Sequence, residues 1–477
     1  MKTSRDTSPE GCPQRYLLRA SLGAQALVLM VCLSSCAATD KAEARISSSD
    51  GPPVFAPCET GSIEELEYEL WCHALQATRL ADKPTFGYVP APKPNECYAL
   101  TDSSRLRHGV ERMSIREVSS YLGNLHGRRS AVLFHAENPS TDRFCTWLVT
   151  DEGVAASEAV PLESKTWNVG SGLSSSLRVR ERGSGGVAEE RGLRLESAPP
   201  VSLDEAAKRL LPPEVAKALI ARQIDTLIVV PIYDIGAMPF AAFPLDGQVL
   251  IDNMSVLIAP SFQSFERPPF DWQGEAVHPL VLGDPATTAY LPALIYAQRE
   301  AWEVAEVVGG QPFVGHNATA SAVQDWLRAF PDTNLVHIAA HGVAHSENAD
   351  ARSGIFLADG FWSAEDVWNL QLSPGSLVVL SACQSGLGKH FEMGTASVAR
   401  AFHHDGASTV VMSLWNVDDK ATKELMVTFA KNAFKQGSPA PPDRALRNAM
   451  LELRKANPDP LYWAGFNVFG LPSLDSK

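Results

Sequence analysis

A histidine and a cysteine in this chain have the types and the placement for nucleophilic catalysis. Asn334-Leu-Val-His-Ile-Ala-Ala runs into His341 and Gly342, and Ser376-Leu-Val-Val-Leu-Ser-Ala runs into Cys383, with Gln384, Ser385 and Gly386 behind it. A free cysteine has a pKa of about 8.5 and is mostly thiol near neutrality, so a neighbouring imidazole is what raises its thiolate fraction. A cysteine nucleophile with a histidine base is the simplest unit this pair can make. Gly342 carries no side chain to keep its N–H from a developing oxyanion, and the N–H of Cys383 itself is the natural second donor. The competing reading is that Cys383 is a small core residue, since free cysteine is among the most buried types.

Two strands must position that pair. Each run is almost continuously aliphatic, as expected of a strand buried on both faces of a parallel sheet. In open α/β sheets ligands bind at the carboxyl ends of such strands, where both reactive residues fall. The interval of 42 residues (383 − 341) leaves room for a hairpin around 354–360 and a helix capped by Ser363 with Asp366 three residues on. Around them the pattern alternates. A strand at 280–283 precedes helices at 298–308 and 319–330, the second capped by Thr319. A helix at 394–404, a strand at 408–414, helices at 419–435 and 443–456 and a closing strand near Phe466 follow. Repeated βα units predict an α/β fold around a parallel sheet with right-handed crossovers. Upstream, runs at 130–136, 144–150 and 154–160 read as a β-meander. A helix broken at Pro212-Pro213 and a buried strand at 226–230 come next.

Other polar residues compete for roles. Asp418 and Asp419 follow the strand that ends at Leu414, on the same edge. They either face a basic substrate side chain or cap the helix that starts beside them. His337 and His341 are four apart, but on a strand that is well over 10 Å, and the glutamate of a zinc-protease helix is missing, so no metal is expected. Asp359 and Glu392 are candidates for orienting His341.

Together these residues resemble a family. His341-Gly342, Ser353-Gly-Ile-Phe-Leu-Ala-Asp-Gly360, Leu380-Ser-Ala-Cys-Gln-Ser-Gly386, Ser413-Leu-Trp-Asn-Val-Asp-Asp419 and Tyr462-Trp-Ala-Gly-Phe466 with Gly470 are similar to the ordered motifs of the CHAT domain. Leu227-Ile-Val-Val-Pro231 and Met238-Pro-Phe-Ala-Ala-Phe243 resemble its N-terminal half, and the likeness spans roughly residues 112–470. The CHAT family stands with the caspase-like cysteine peptidases, beside separases and gingipains. The resemblance implies a caspase-like parallel-sheet α/β sandwich with an N-terminal β-rich subdomain. It also implies a Cys383–His341 dyad cleaving a protein or peptide substrate without a cofactor. In separase-like relatives an aspartate just after the tryptophan selects a basic P1 residue, which here means Asp418 or Asp419. Many relatives carry helical repeats ahead of the domain, and none is visible here. A catalytically idle binding or adaptor module is the alternative, because fold alone does not establish activity.

Composition bounds the rest. A net charge of −14 without a basic face argues against a nucleic-acid partner. Arg15 and Arg19 precede an apolar run at 22–33 that ends in Leu33-Ser-Ser-Cys36, which resembles the bacterial lipobox. That resemblance implies lipidation at Cys36, membrane attachment in the cell envelope and, with Ala37 next, the outer membrane. An uncleaved anchor of 19 residues, Ala20 to Ala38, is the alternative. Cys58, Cys72, Cys97 and Cys145 form an even set that allows two disulfides in three connectivities, leaving Cys383 as the odd thiol. The expected organisation is a signal peptide with lipobox over 1–36, then a tether with a short helical and Pro-rich segment over 37–111. The N-terminal half of the domain takes 112–275 and the catalytic half 276–472.

Overall fold

Aliphatic runs that no polar face interrupts become strands covered on both sides. The computed structural model describes residues 114–138, 143–161, 202–232, 235–266, 270, 272–286, 291–345, 352–383, 385–387, 389–391 and 394–474. One sheet of 11 strands organises them. In chain order its strands are β1 Ser130–Asn138, β2 Arg143–Thr150, β3 Gly153–Pro161, β4 Thr226–Val230, β5 Ser255–Ile258 and β6 Leu280–Pro285. Then come β7 Phe313–Gly315, β8 Leu335–Ala340, β9 Leu377–Ala382, β10 Thr409–Ser413 and β11 Phe466–Gly470. Their spatial order is β3-β2-β1-β4-β5-β11-β10-β9-β8-β6-β7.

From β10 to β7 the strands run parallel, as the repeated βα units predict. The meander β1–β3 is antiparallel within itself, but β1 pairs in parallel with β4, so the β-rich part continues the same sheet. The closing strand joins the two halves. β11 lies antiparallel to β10 and parallel to β5, so the end of the chain is inserted between regions separated by about 150 residues of sequence. β5 has no sequence signature of its own, because its four residues are too short a run to stand out.

Successive side chains on each strand alternate between faces. One face packs Ala131, Leu227, Val336, Val378 and Val410 against helices α2 Leu203–Leu210, α3 Pro213–Ala221, α5 Ala320–Ala329 and α6 Val398–His404. The other packs Val132, Ile228, Leu335, Val379 and Val411 against α1 Ile115–Gly123, α7 Asp419–Ala433 and α8 Pro442–Ala456. Helix α4, Ile295–Val308, lies on this second face too, setting Ala297 against Ala339 and Ala301 against Val281.

The helix boundaries follow their caps. Thr319 accepts from Ala322 N, and Ser363 forms a capping box with Asp366 around a single turn, Ala364–Val367. Pro213 begins a new helix rather than kinking one. The expected helix from 394 starts later. Ser397 caps it by accepting from Arg400 N, and Gly394–Ala396 instead pairs with Lys389–Phe391. Cys145 on β2 is disulfide-bonded to a partner outside the described residues, and Cys383 is a free thiol. The lipobox Cys36 and the tether also lie outside the described residues. Among the described residues no helix is long and apolar enough to cross a membrane.

Candidate active site

β8 and β9 are parallel neighbours in register, with Ala340 opposite Ala382. His341 and Cys383 therefore each stand one residue past the last pair, on strands about 4.8 Å apart. Alternation sends both side chains to the α4–α7 face, and both residues are buried. A Cβ at position 342 would lie 2.5 Å from the Cys383 carbonyl oxygen, so glycine is required there first by packing against the cysteine's backbone. Past His341 the chain pairs with the hairpin of Gly354–Leu357 and Gly360–Ser363, placing Gly342 opposite Ile355. Phe356 N–H donates to His341 O at 2.9 Å. Bonded and non-bonded pairs alternate in such a ladder, so the N–H of Gly342 points away from the hairpin.

Helix α4 runs along β8 and meets it residue by residue. Near the middle, His337 Nε2 pairs with Glu300 Oε1 at 2.8 Å, both fully enclosed. At the carboxyl end, just before α4 begins, the Pro292 carbonyl meets His341 Nε2 at 2.8 Å. A carbonyl only accepts, so Nε2 carries the proton and the lone pair sits on Nδ1. This is the ring atom a base needs, and the Pro292 bond leaves it unoccupied by that carbonyl.

The cysteine is held from the other side. Val417 N–H donates to Cys383 Sγ at 3.2 Å. That contact depends on the turn after β10, which buried Trp415 anchors by donating Nε1 to Leu461 O at 3.2 Å, with Gly465 against its ring. Beneath it, two serines lash the loop after Cys383 to β10. Ser385 N donates to Ser413 Oγ at 3.1 Å, Ser413 N to Ser385 Oγ at 2.8 Å, and Ser413 Oγ to Ala382 O. The cysteine turn is thus fixed in three directions by hydrogen bonds that sequence patterns do not announce.

The two aspartates divide. Asp418 is the N-cap of α7, its Oδ1 accepting from Ala421 N at 2.7 Å, and it is half-buried beside Val417. Asp419 is buried, and its Oδ2 accepts from Tyr296 N of α4 at 3.0 Å. Asp359 is engaged elsewhere, at the start of α5, accepting from Ala320 N at 2.9 Å and Ser321 N at 3.2 Å. Burial pushes its carboxyl up, but those hydrogen bonds outweigh it and hold the group below the usual range. Glu392 lies outside the described residues. Orientation of His341 falls to the Pro292 carbonyl, which has no side-chain signature. Among the described residues no group of three or more His, Cys, Asp or Glu is placed to hold a metal.

Residues 201–471 match the CHAT domain. Tetratricopeptide repeat protein 28 of Homo sapiens is 27% identical across a match covering 49% of this chain and 11% of that protein. The protein of the same name from Mus musculus is 28% identical, over 36% of this chain and 8% of its own length. The chain thus spans about a tenth of the curated relatives it matches. Among solved structures, it is similar to a chain of the Saccharomyces cerevisiae separase–securin complex, with a TM-score of 0.49 and 12% identity, covering 87% of this chain and 37% of that one. It is also similar to the Arg specific cysteine proteinase gingipain R, with a TM-score of 0.40 and 12% identity, over 67% of this chain and 80% of that one. Both scores lie below 0.5, too weak a likeness to carry function across.

Proposed function

The chain belongs to the CHAT domain family, and from that premise and the residues at the ends of β8 and β9 we propose that it is a cysteine endopeptidase. Cys383 Sγ gives its proton to His341 Nδ1 and attacks the scissile carbonyl carbon, forming a tetrahedral intermediate. The N–H groups of Gly342 and Cys383 receive the oxyanion. His341 returns the proton to the leaving amine, the C–N bond breaks, and a thioester remains. Water, deprotonated by the same imidazole, then releases the acid and restores the thiol. The observation that carries this reading is the His341–Pro292 hydrogen bond, because it leaves the ring's lone pair on the atom not turned to the carbonyl.

A basic P1 residue is the specificity we assign, through Asp418. Its Oδ1 serves α7, while its second oxygen has no hydrogen-bond partner among the described residues. Asp419 is the weaker candidate, since it is buried against α4. Guanidinium binds a carboxylate directionally, so Arg is favoured over Lys. Attachment to the membrane through a lipidated Cys36 completes the proposal and rests on the lipobox alone.

One observation favours a second reading, a catalytically idle binding or adaptor module. Cys383 is buried, with a backbone N–H already on its sulfur. An electrophilic peptide probe with Arg at P1, offered to the full chain, separates the two. Covalent mass added at Cys383, faster with P1 Arg than with P1 Asp or Ala, is the expected result. A folded chain that takes up no label leaves the adaptor reading standing, and labelling favouring P1 Asp removes the role of Asp418.

A further inference from the structure

His341 is only as well placed as the carbonyl it donates to, and that carbonyl belongs to a turn rather than to a regular element. Pro292 precedes the N-terminus of α4, whose first N–H groups have no partner within the helix. Two carboxylates from other parts of the sheet edge take them. Asp284 Oδ1, at the end of β6, accepts from Leu294 N at 2.8 Å. Asp419 Oδ2, at the start of α7, accepts from Tyr296 N at 3.0 Å. The carbonyl that faces His341 is thus two residues from one clamp and four from the other.

The end of β6 is built around this contact. Asp284 has φ of 44°, a left-handed backbone uncommon outside glycine, and the pairing of β6 with β7 shifts register between Gly283 and Pro285. Gly283 packs so tightly on α4 that a Cβ there would lie 2.7 Å from Ala297 O. A strained backbone persists only where its surroundings over-determine it. Here the surroundings fix the carboxylate at the helix start. Further along α4, Lys423 of α7 pairs with Glu303 at 2.7 Å, holding the two helices that Asp419 also joins.

We propose that Asp284 and Asp419 are positioning residues that fix the 292–296 turn, so that the Pro292 carbonyl holds His341 in its Nε2–H tautomer with Nδ1 toward Cys383. The proposal rests on the peptidase reading for its consequence, but not for its geometry. Neither aspartate needs to touch substrate. Helix capping alone would cost stability on removal, whereas a positioning role also releases the ring.

The test reads the ring directly. Full-length protein is labelled with 15N-histidine, the His341 signals are assigned with a His341→Gln variant, and the ring nitrogen shifts report the tautomer. The parent should show one protonated Nε2 and one unprotonated Nδ1. Asp419→Ala and Asp284→Ala should move both nitrogens toward averaged values. Asp419→Asn, which keeps an oxygen for Tyr296 N–H, should resemble the parent. If one alanine variant does not fold, the other carries the measurement. On a cleaved peptide the folded alanine variants should lose roughly 10-fold to 100-fold in kcat with little change in KM. An unchanged single tautomer in folded alanine variants overturns the proposal, as does a parent without the Nε2–H form. Alanine variants that show the tautomer change beside a parent that cleaves nothing support the positioning role and count against the peptidase reading alone.

Discussion

His135 and His341 are held alike and stand in different surroundings. His135 on β1 meets Leu210 O with Nε2 at 3.0 Å, and His341 meets Pro292 O at 2.8 Å. Each therefore keeps its proton on Nε2 and its lone pair on Nδ1. His135 is sealed inside the meander side of the sheet, its ring stacked on Phe144 and its Nδ1 without a partner among the described residues. His341 stands at a carboxyl end beside a thiol. A carbonyl that fixes a tautomer does not by itself make a base; what differs is the neighbour that the strand register supplies. His337, on the same strand as His341, makes the point a third way, for its buried partner is the Glu300 carboxylate.

The strongest way to break this contrast is at the edge. Cys383→Ala and His341→Ala should each remove peptide cleavage, roughly 10³-fold or more, with unchanged melting within a few degrees, since members of one nucleophile–base unit fail together. His135→Gln should leave turnover intact when assayed near neutral pH. A folded Cys383→Ala variant that still cleaves the parent's peptide sinks the dyad.

Inside the sheet the penalty moves from chemistry to stability. Glu300→Ala leaves His337 enclosed without its hydrogen-bond partner, and orphaning such a buried polar group costs about 1–3 kcal/mol. Urea unfolding reads it. A change below 1 kcal/mol would mean that the pair contributes little beyond filling space.

Much of this was legible in the sequence, and the limits have physical causes. Strands β4, β6, β8, β9 and β10 were readable because burial on both faces demands uninterrupted aliphatic runs. The caps Thr319 and Ser363 were readable because their side chains perform the capping. The placement of His341 and Cys383 at two strand ends was readable because a reactive residue ending each of two such runs is an uncommon coincidence. The groups that hold them were not. Pro292 and Val417 act through backbone atoms that every residue type offers, and Glu300 looks like any acid on a helix until the helix is packed. Asp418 and Asp419 are identical in type and adjacent, so only the tertiary structure gives one to α7 and the other to α4.

Acid should test the His135 side of the histidine comparison. Burial holds His135 at about 4, against 6.5 for an ordinary histidine, and its bond to Leu210 only partly offsets this. The unfolded chain takes up a proton below 6.5 that the native chain refuses until about pH 4. Stability from this group is therefore complete above pH 6.5 and is lost as pH falls toward 4, by about 3 kcal/mol over the window. Denaturation midpoints measured across that range should show a slope that His135→Gln lessens. An identical slope in the variant would place the acid sensitivity elsewhere.

The smallest effect is the most discriminating, because it compares two helix caps that stand on opposite faces of the sheet, one a carboxylate and one a hydroxyl. Asp418 caps α7 at the sheet edge where β8, β9 and β10 end, and Thr319 caps α5 on the opposite face of the sheet. Each accepts one N–H, from Ala421 at 2.7 Å and from Ala322 at 2.9 Å. Replacing either by alanine orphans a first-turn donor and should cost about 1 kcal/mol. Equal losses in melting temperature are expected. The variants should part in specificity: Thr319→Ala keeps the parent's P1 profile, while Asp418→Ala loses its preference for Arg over uncharged residues. Should both variants lose equal stability and keep the same profile, Asp418 is a helix cap and nothing more, and the proposed P1 role of its carboxylate falls.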